Sequence, residues 1–103
     1  MPSELSTKVA EKLNELIDEE TNRKFGELNV VIEVAEMATG AIRVKFQPLS
    51  AYSPIAVDTG RSIRDAALKV DGVMTVRVDC TGHMMDELVN RLVNKDEPKK
   101  LAM

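Results

Sequence analysis

The chain has 103 residues, enough for one domain and too few for two. Apolar residues make up 44% and charged residues 30%, a globular balance, but with two Phe, one Tyr and no Trp the core has to be small and aliphatic. The net charge is −3, with basic and acidic residues interspersed, which argues against a general binder of nucleic-acid phosphates. A single cysteine, Cys80, leaves no intramolecular disulfide and suits a reducing, cytoplasmic setting. The opening MPSELSTKVAEK lacks the apolar stretch of a signal peptide, and no run approaches the roughly 18 apolar residues that span a bilayer.

Periodicity predicts a first helix over about residues 3–20. Leu5, Val9, Leu13, Leu16 and Ile17 share one face, and Ser3 or Ser6 can cap it. A polar connection over residues 18–27 follows. A strand is expected over residues 29–37, with Val30, Ile32 and Val34 toward the core and Val31, Glu33 and Ala35 on the wetter side. Ala38-Thr39-Gly40 reads as a hairpin loop. The return strand, residues 41–47, alternates most cleanly: Ile42, Val44 and Phe46 against Arg43, Lys45 and Gln47.

Pro48 ends the pairing, and the corner Ser50-Ala51-Tyr52-Ser53-Pro54 leads into a second long helix over residues 54–69. Val57, Ile63, Ala66, Ala67 and Val70 are expected inward. Gly60 costs such a helix about 1 kcal/mol relative to Ala, unless it permits close approach to the sheet or marks a helix start near Asp58. Asp71-Gly72 stops the helix. A third strand over residues 73–79 places Met74, Val76, Val78 and Cys80 on one face. Thr81-Gly82 turns the chain into a last helix, residues 84–94, with Met85, Leu88, Val89 and Leu92 inward. The charged residues 95–103 read as a mobile tail after a single domain of residues 1–94.

The element order is thus α-β-β-α-β-α. It implies an α+β fold: a two-layer sandwich with a mixed three-stranded sheet, helices on one face and a right-handed crossover. Whether the third strand pairs with the first or the second is not fixed by periodicity.

Ser53 before Pro54 has two readings. A plain helix cap explains the pair, because the first N–H groups of a helix lack internal partners. A nucleophile would need a base, and His83 is the sole histidine. Cys80 and His83 are weak metal candidates at C-x-x-H spacing. A structural zinc site wants four ligands, so a dimer would have to supply the second pair. The plainer reading makes Cys80 a buried apolar residue. Tyr52 is either an exposed contact or a half-buried lid. Asp18, Glu19 and Glu20 crowd negative charge at a helix C-terminus, where it is unfavourable.

The segment IRVKFQPLSAYSPIAVDTGRSIRDAALKVDGVMTVRVD resembles the heart of the iron–sulfur cluster assembly (FSCA) domain family, which includes SufT-like and PaaD-like proteins. In that family a strand ends in a Thr/Ser-rich loop, then Cys-Pro, then a helix and a phrase close to Gly-Val-x-x-Val-x-Val. Here Gly72-Val73, Val76 and Val78 match the phrase, and Ser53-Pro54 stands in the Cys-Pro slot. Upstream, Val9 to Leu13 and Asp18-Glu19-Glu20-Thr21 resemble the family's first helix and its Asp-Pro-Glu turn. Asp18 and Glu20 match the two acids, and Glu19 replaces the Pro. Phe25 to Asn29 loosely echo the stretch before the first strand. Leu49 stands where a Thr is common, and Ser50 keeps the neighbouring hydroxyl.

The resemblance spans residues 9–92 and implies an accessory protein of iron–sulfur cluster or metal-cofactor assembly, not an enzyme. Asp18, Glu20, Ser50, Tyr52 and Ser53 are the family-site positions it assigns. It implies assembly or client proteins as partners, with no nucleic acid and no membrane. A homodimer by strand addition stays open. A serine has neither the lowered pKa nor the soft-metal affinity of a thiol at this corner. The chain is therefore expected to bind no cofactor stably and at most a transient iron–sulfur cluster. The alternative is an interaction module that kept the fold and lost the chemistry.

Overall fold

The computed structural model describes residues 3–94, so the tail at residues 95–103 lies outside it. Its elements are α1 (Glu4–Asn14), a short α2 (Phe25–Leu28), β1 (Val31–Ala38), β2 (Ala41–Phe46), α3 (Ala56–Leu68), β3 (Thr75–Cys80) and α4 (Asp86–Val93). The expected α+β order holds, with α2 added inside what reads as a polar connection. The sheet is mixed and three-stranded: β2 is central, antiparallel to β1 and parallel to β3. The third strand therefore pairs with the second. No helix of the described residues is long and apolar enough to cross a membrane.

The clean alternation of β2 fixes which face is dry. Ile42, Val44 and Phe46 are buried, opposite Val76, Val78 and Cys80 of β3. Together with Val9 and Leu13 of α1 and Ile63 and Ala67 of α3 they form one core on one face of the sheet. The other face is polar. Arg43 and Arg77 are neighbours across β2 and β3, where like charges repel, and Asp79 bridges them at 2.7 and 3.3 Å. Lys45 reaches Glu33 at 3.4 Å.

β1 departs from simple alternation. A bulge between Val31 and Glu33 inserts one residue, so Val31 and Val34 both pack on the core while Ile32 is displaced and 52% exposed. The expected inward set Val30, Ile32, Val34 is corrected at Ile32. Glu36 pairs with Ile42 at the rim, where its carboxylate accepts the Gly40 N–H at 2.9 Å. That bond, and a second from the Ser3 hydroxyl, hold its pKa below the usual glutamate value. Ser3 is also the N-cap of α1 and accepts the Ser6 N–H.

The first helix stops at Asn14, well short of residue 20, because Ile17 turns into a bridge with Lys24 and the Leu16 carbonyl accepts the Phe25 N–H at 2.8 Å. The acidic run therefore lies beyond the helix and escapes its dipole. Met74 is 75% exposed and sits before β3 rather than on its inner face. In α4 the buried residues are Val89 and Val93, whereas Met85 and Leu88 face out. Gly60 is needed for packing: a Cβ there would meet the Val93 side chain at 2.6 Å and the Phe46 ring at 3.3 Å. The glycine lets α3 lie close to both the sheet and α4.

The outer edge of β3 is covered by α4. The Asn94 side-chain amide accepts from the Val78 N–H at 3.0 Å and donates to the Val78 carbonyl at 2.8 Å, as a neighbouring strand would. Asn90 accepts the Cys80 N–H one helical turn earlier. These two amides blunt an edge that would otherwise invite another strand. Asn94→Ala leaves Val78 without both partners and is expected to cost about 1–3 kcal/mol in urea denaturation, with the m-value unchanged.

Candidate functional site

Because β2 and β3 are parallel, both leave the sheet at the same end. In open sheets of parallel strands, ligand sites lie beyond those carboxyl ends. Here the loop after β2 (residues 47–55) meets the loop after β3 (residues 81–85). Thr81 N–H donates to Phe46 O at 2.9 Å, which carries the pairing one residue past β3. Gly82, at φ +78°, lies against the Gln47 side chain. The start of β1 joins them through the Gln47 N–H to Val30 O bond at 2.8 Å.

The corner loop is held from within and from across. The Ser50 hydroxyl accepts the Tyr52 N–H at 3.1 Å, and the Ser50 carbonyl accepts the Ser53 N–H at 3.1 Å. The Ala51 carbonyl accepts the Met84 N–H at 2.9 Å. His83 makes the second tie. Its Nδ1 accepts the Met85 N–H at 3.0 Å, which leaves Nε2 as the protonated nitrogen that donates to the Ser53 carbonyl at 3.0 Å. Ser53 and His83 are thus brought together, but through the serine's backbone. With both ring nitrogens engaged, the imidazole has no lone pair aimed at the Ser53 hydroxyl.

The expected cap at Ser53 is corrected. The α3 N-cap is Ile55, without a side-chain cap bond, and Ser53 lies two residues ahead of it. Among the described residues the Ser53 hydroxyl makes no hydrogen bond, although Ser53 is buried. Tyr52 is 74% exposed, so it is a surface group and not a lid.

Asp18 and Glu20 are not joined to the corner by any hydrogen bond or ion pair among the described residues. Asp18 is buried and organises its own turn. Its Oδ2 accepts the N–H groups of Glu20 and Thr21 and the Thr21 hydroxyl at 2.8–3.1 Å. Glu20 points to solvent.

Cys80 is 3% exposed and continues the buried face of Val76 and Val78. Burial first, and the nearby Asp86 carboxylate second, push its thiol up to about 11. A thiol so raised is neutral at physiological pH and a poor nucleophile or metal ligand. It faces the core while His83 faces the corner carbonyl, so the C-x-x-H spacing does not make a pair. Among the described residues no three His, Cys, Asp or Glu side chains converge on a metal-sized site.

The sequence reading missed the apolar character of this end. Leu49 (44% exposed) and Tyr52 from one loop, and Met84 (67%), Met85 (55%) and Leu88 (38%) from the other side, are open to solvent. Tyr52 sits between two residues tied to the Met84 loop, so these side chains share one end of the molecule. The signal lay in the adjacent Met84-Met85, which helical periodicity assigned to packing.

No protein-family model matches the chain, and no curated protein matches it.

Two outcomes follow from the geometry. His83→Ala is expected to cost about 1–2 kcal/mol and to speed hydrogen exchange at Ser53 and Met84, whereas Ser53→Ala, which removes no cap bond, stays within about 0.5 kcal/mol. For Cys80, the folded chain holds the thiol proton more tightly than the unfolded one. That contribution is complete below about pH 9 and is lost as pH rises toward about 11. Denaturation midpoints should fall across that window, Cys80→Ser should remove the fall, and thiol reagents should label Cys80 only once urea opens the core.

Proposed function

We propose that this chain is an FSCA-like accessory protein of iron–sulfur cluster or metal-cofactor assembly that works through protein contacts. The observation that carries this reading is the placement of Ser50 to Pro54. The segment that resembles the family's Thr/Ser-rich loop and Cys-Pro corner lies beyond the carboxyl end of β2, beside the loop that leaves β3. The α-β-β-α-β-α order around it is the order on which the resemblance rests.

What the corner offers chemically is limited to oxygen. Ser53 contributes a hydroxyl, Ser50 a hydroxyl engaged in the turn, and the carbonyls of Ala51 and Ser53 are taken by the Met84 amide and His83. Such a donor set is hard, and soft iron–sulfur chemistry prefers thiolate. A transient cluster would therefore depend on thiolates from another protein, with this chain shaping the encounter. The exposed Leu49, Tyr52, Met84 and Met85 beside the corner fit a surface made for contact. A second reading, an interaction module that kept the fold and lost the chemistry, is favoured by Ser53 in the cysteine slot and by the buried Cys80 thiol.

Affinity capture from native lysate separates the two. Cluster-assembly or client proteins on the full chain, lost with Tyr52→Ala, support the first reading, and partners unrelated to cofactor assembly support the second. Anaerobic reconstitution with iron and sulfide should give the isolated chain no stable stoichiometric visible absorbance. A cluster held by the lone monomer would overturn the partner-dependent part.

A further inference from the structure

We propose that the surface shared by the β2–α3 and β3–α4 loops docks a short amphipathic helix of a partner protein, with Leu or Met on one face and Lys or Arg beside it. The inference rests on the contact role proposed above and on no cluster chemistry. Its apolar part is Leu49 and Tyr52 from one loop, Met84 and Met85 from the other, and Leu88 from the first turn of α4, all open to solvent. Methionine side chains adapt to varied apolar partners, and an exposed Tyr brings a large contact area at low entropic cost.

The surface is built before a partner arrives. Its loops are tied by the Ala51–Met84 and Ser53–His83 bonds, so little chain has to be ordered on binding. Beside it lies a depression of about 480 Å³ lined by Met84, Met85, Asp86, Glu87, Leu88 and Arg91. Apolar groups on the first turn of α4 with two carboxylates beside them match the recognition of a helix by its apolar face.

The charges choose among occupants. Asp86 and Glu87 outnumber Arg91 in the depression, so it favours cationic flanks, whose long stems can cover the methionines while their heads reach the carboxylates. A second copy docking the same patch would oppose these carboxylates to their own kind. An anionic membrane surface would meet the same repulsion. Arg91, farther along α4, sets direction: the partner's cations lie toward the start of α4 and any acidic end toward Arg91.

Two labelled helical peptides with identical Leu/Met faces, one flanked by Lys and one by Glu, test this with the full chain by fluorescence anisotropy. The Lys peptide is expected to bind about tenfold tighter or more. Met84→Ser with Met85→Ser should weaken it about tenfold without lowering the melting temperature, and Asp86→Lys with Glu87→Lys should turn the preference toward the Glu peptide. Equal binding of both peptides, no binding of either, or indifference to the methionine variants overturns the proposal. So does self-association that Met84→Ser abolishes, which would give the patch to a second copy. Lys-peptide binding by a chain that captures no assembly proteins would uphold this inference and remove the reading above.

Discussion

The parallel pairing of β2 with β3 is the constraint on which the molecule depends. It runs in register from Ala41–Thr75 to Phe46–Cys80, and its inner pairs, Ile42 with Val76 and Val44 with Val78, are the dry centre of the core. A one-residue slip would turn Val76, Val78 and Cys80 to the open face and drive Arg77 and Asp79 inward, so burial fixes the register firmly. Parallel pairing demands a crossover, and α3 supplies it, seated close by Gly60 against Phe46 and Val93. The same pairing sends both strands out at one end, which is why two loops distant in sequence can tie to each other there.

The open face and the two sheet edges follow from this arrangement. Helices on one side leave Arg43, Lys45, Arg77, Asp79 and Glu33 to cover the other, where their ion pairs offset like-charge neighbours more than they add stability. The β3 edge is closed by the amides of Asn90 and Asn94. The β1 edge carries two register irregularities and the acids Glu33 and Glu36, features that discourage a further strand. Both edges of the described sheet are thus poor templates for a further strand.

How far the sequence could be read depended on whether a residue's role was local or borrowed. The alternation Ile42-Arg43-Val44-Lys45-Phe46 is local, and it set face, strand and core together. In β1 an apolar pattern of the same kind misled at Ile32, because a bulge adds a residue without marking the sequence. Helical spacing overstates the length of the first helix: Ile17 turns away to bridge Lys24, while Leu16 still packs on the core. Asp18 reads as surplus charge or as a site acid, while its carboxylate in fact supplies acceptors that its own turn requires. At the corner, position and order were legible. The roles of Ser53 and His83 were not, because they depend on a contact across thirty residues that parallel pairing creates.

The placement of the single thiol bears on what the corner can do. A chain that held a soft metal itself would gain most from a thiolate at the start of α3, where unpaired N–H groups favour negative charge. This chain puts Ser53 two residues ahead of the α3 N-cap and its one cysteine between strand and helices, in surroundings that keep the proton on sulfur. Neither position supplies a soft donor, and the one imidazole is spent on joining two loops. What remains at that end is shape, fixed by backbone bonds, and apolar surface bordered by carboxylates. Under the proposed reading these serve to hold another protein, and any reactive group in a shared task would come from that partner.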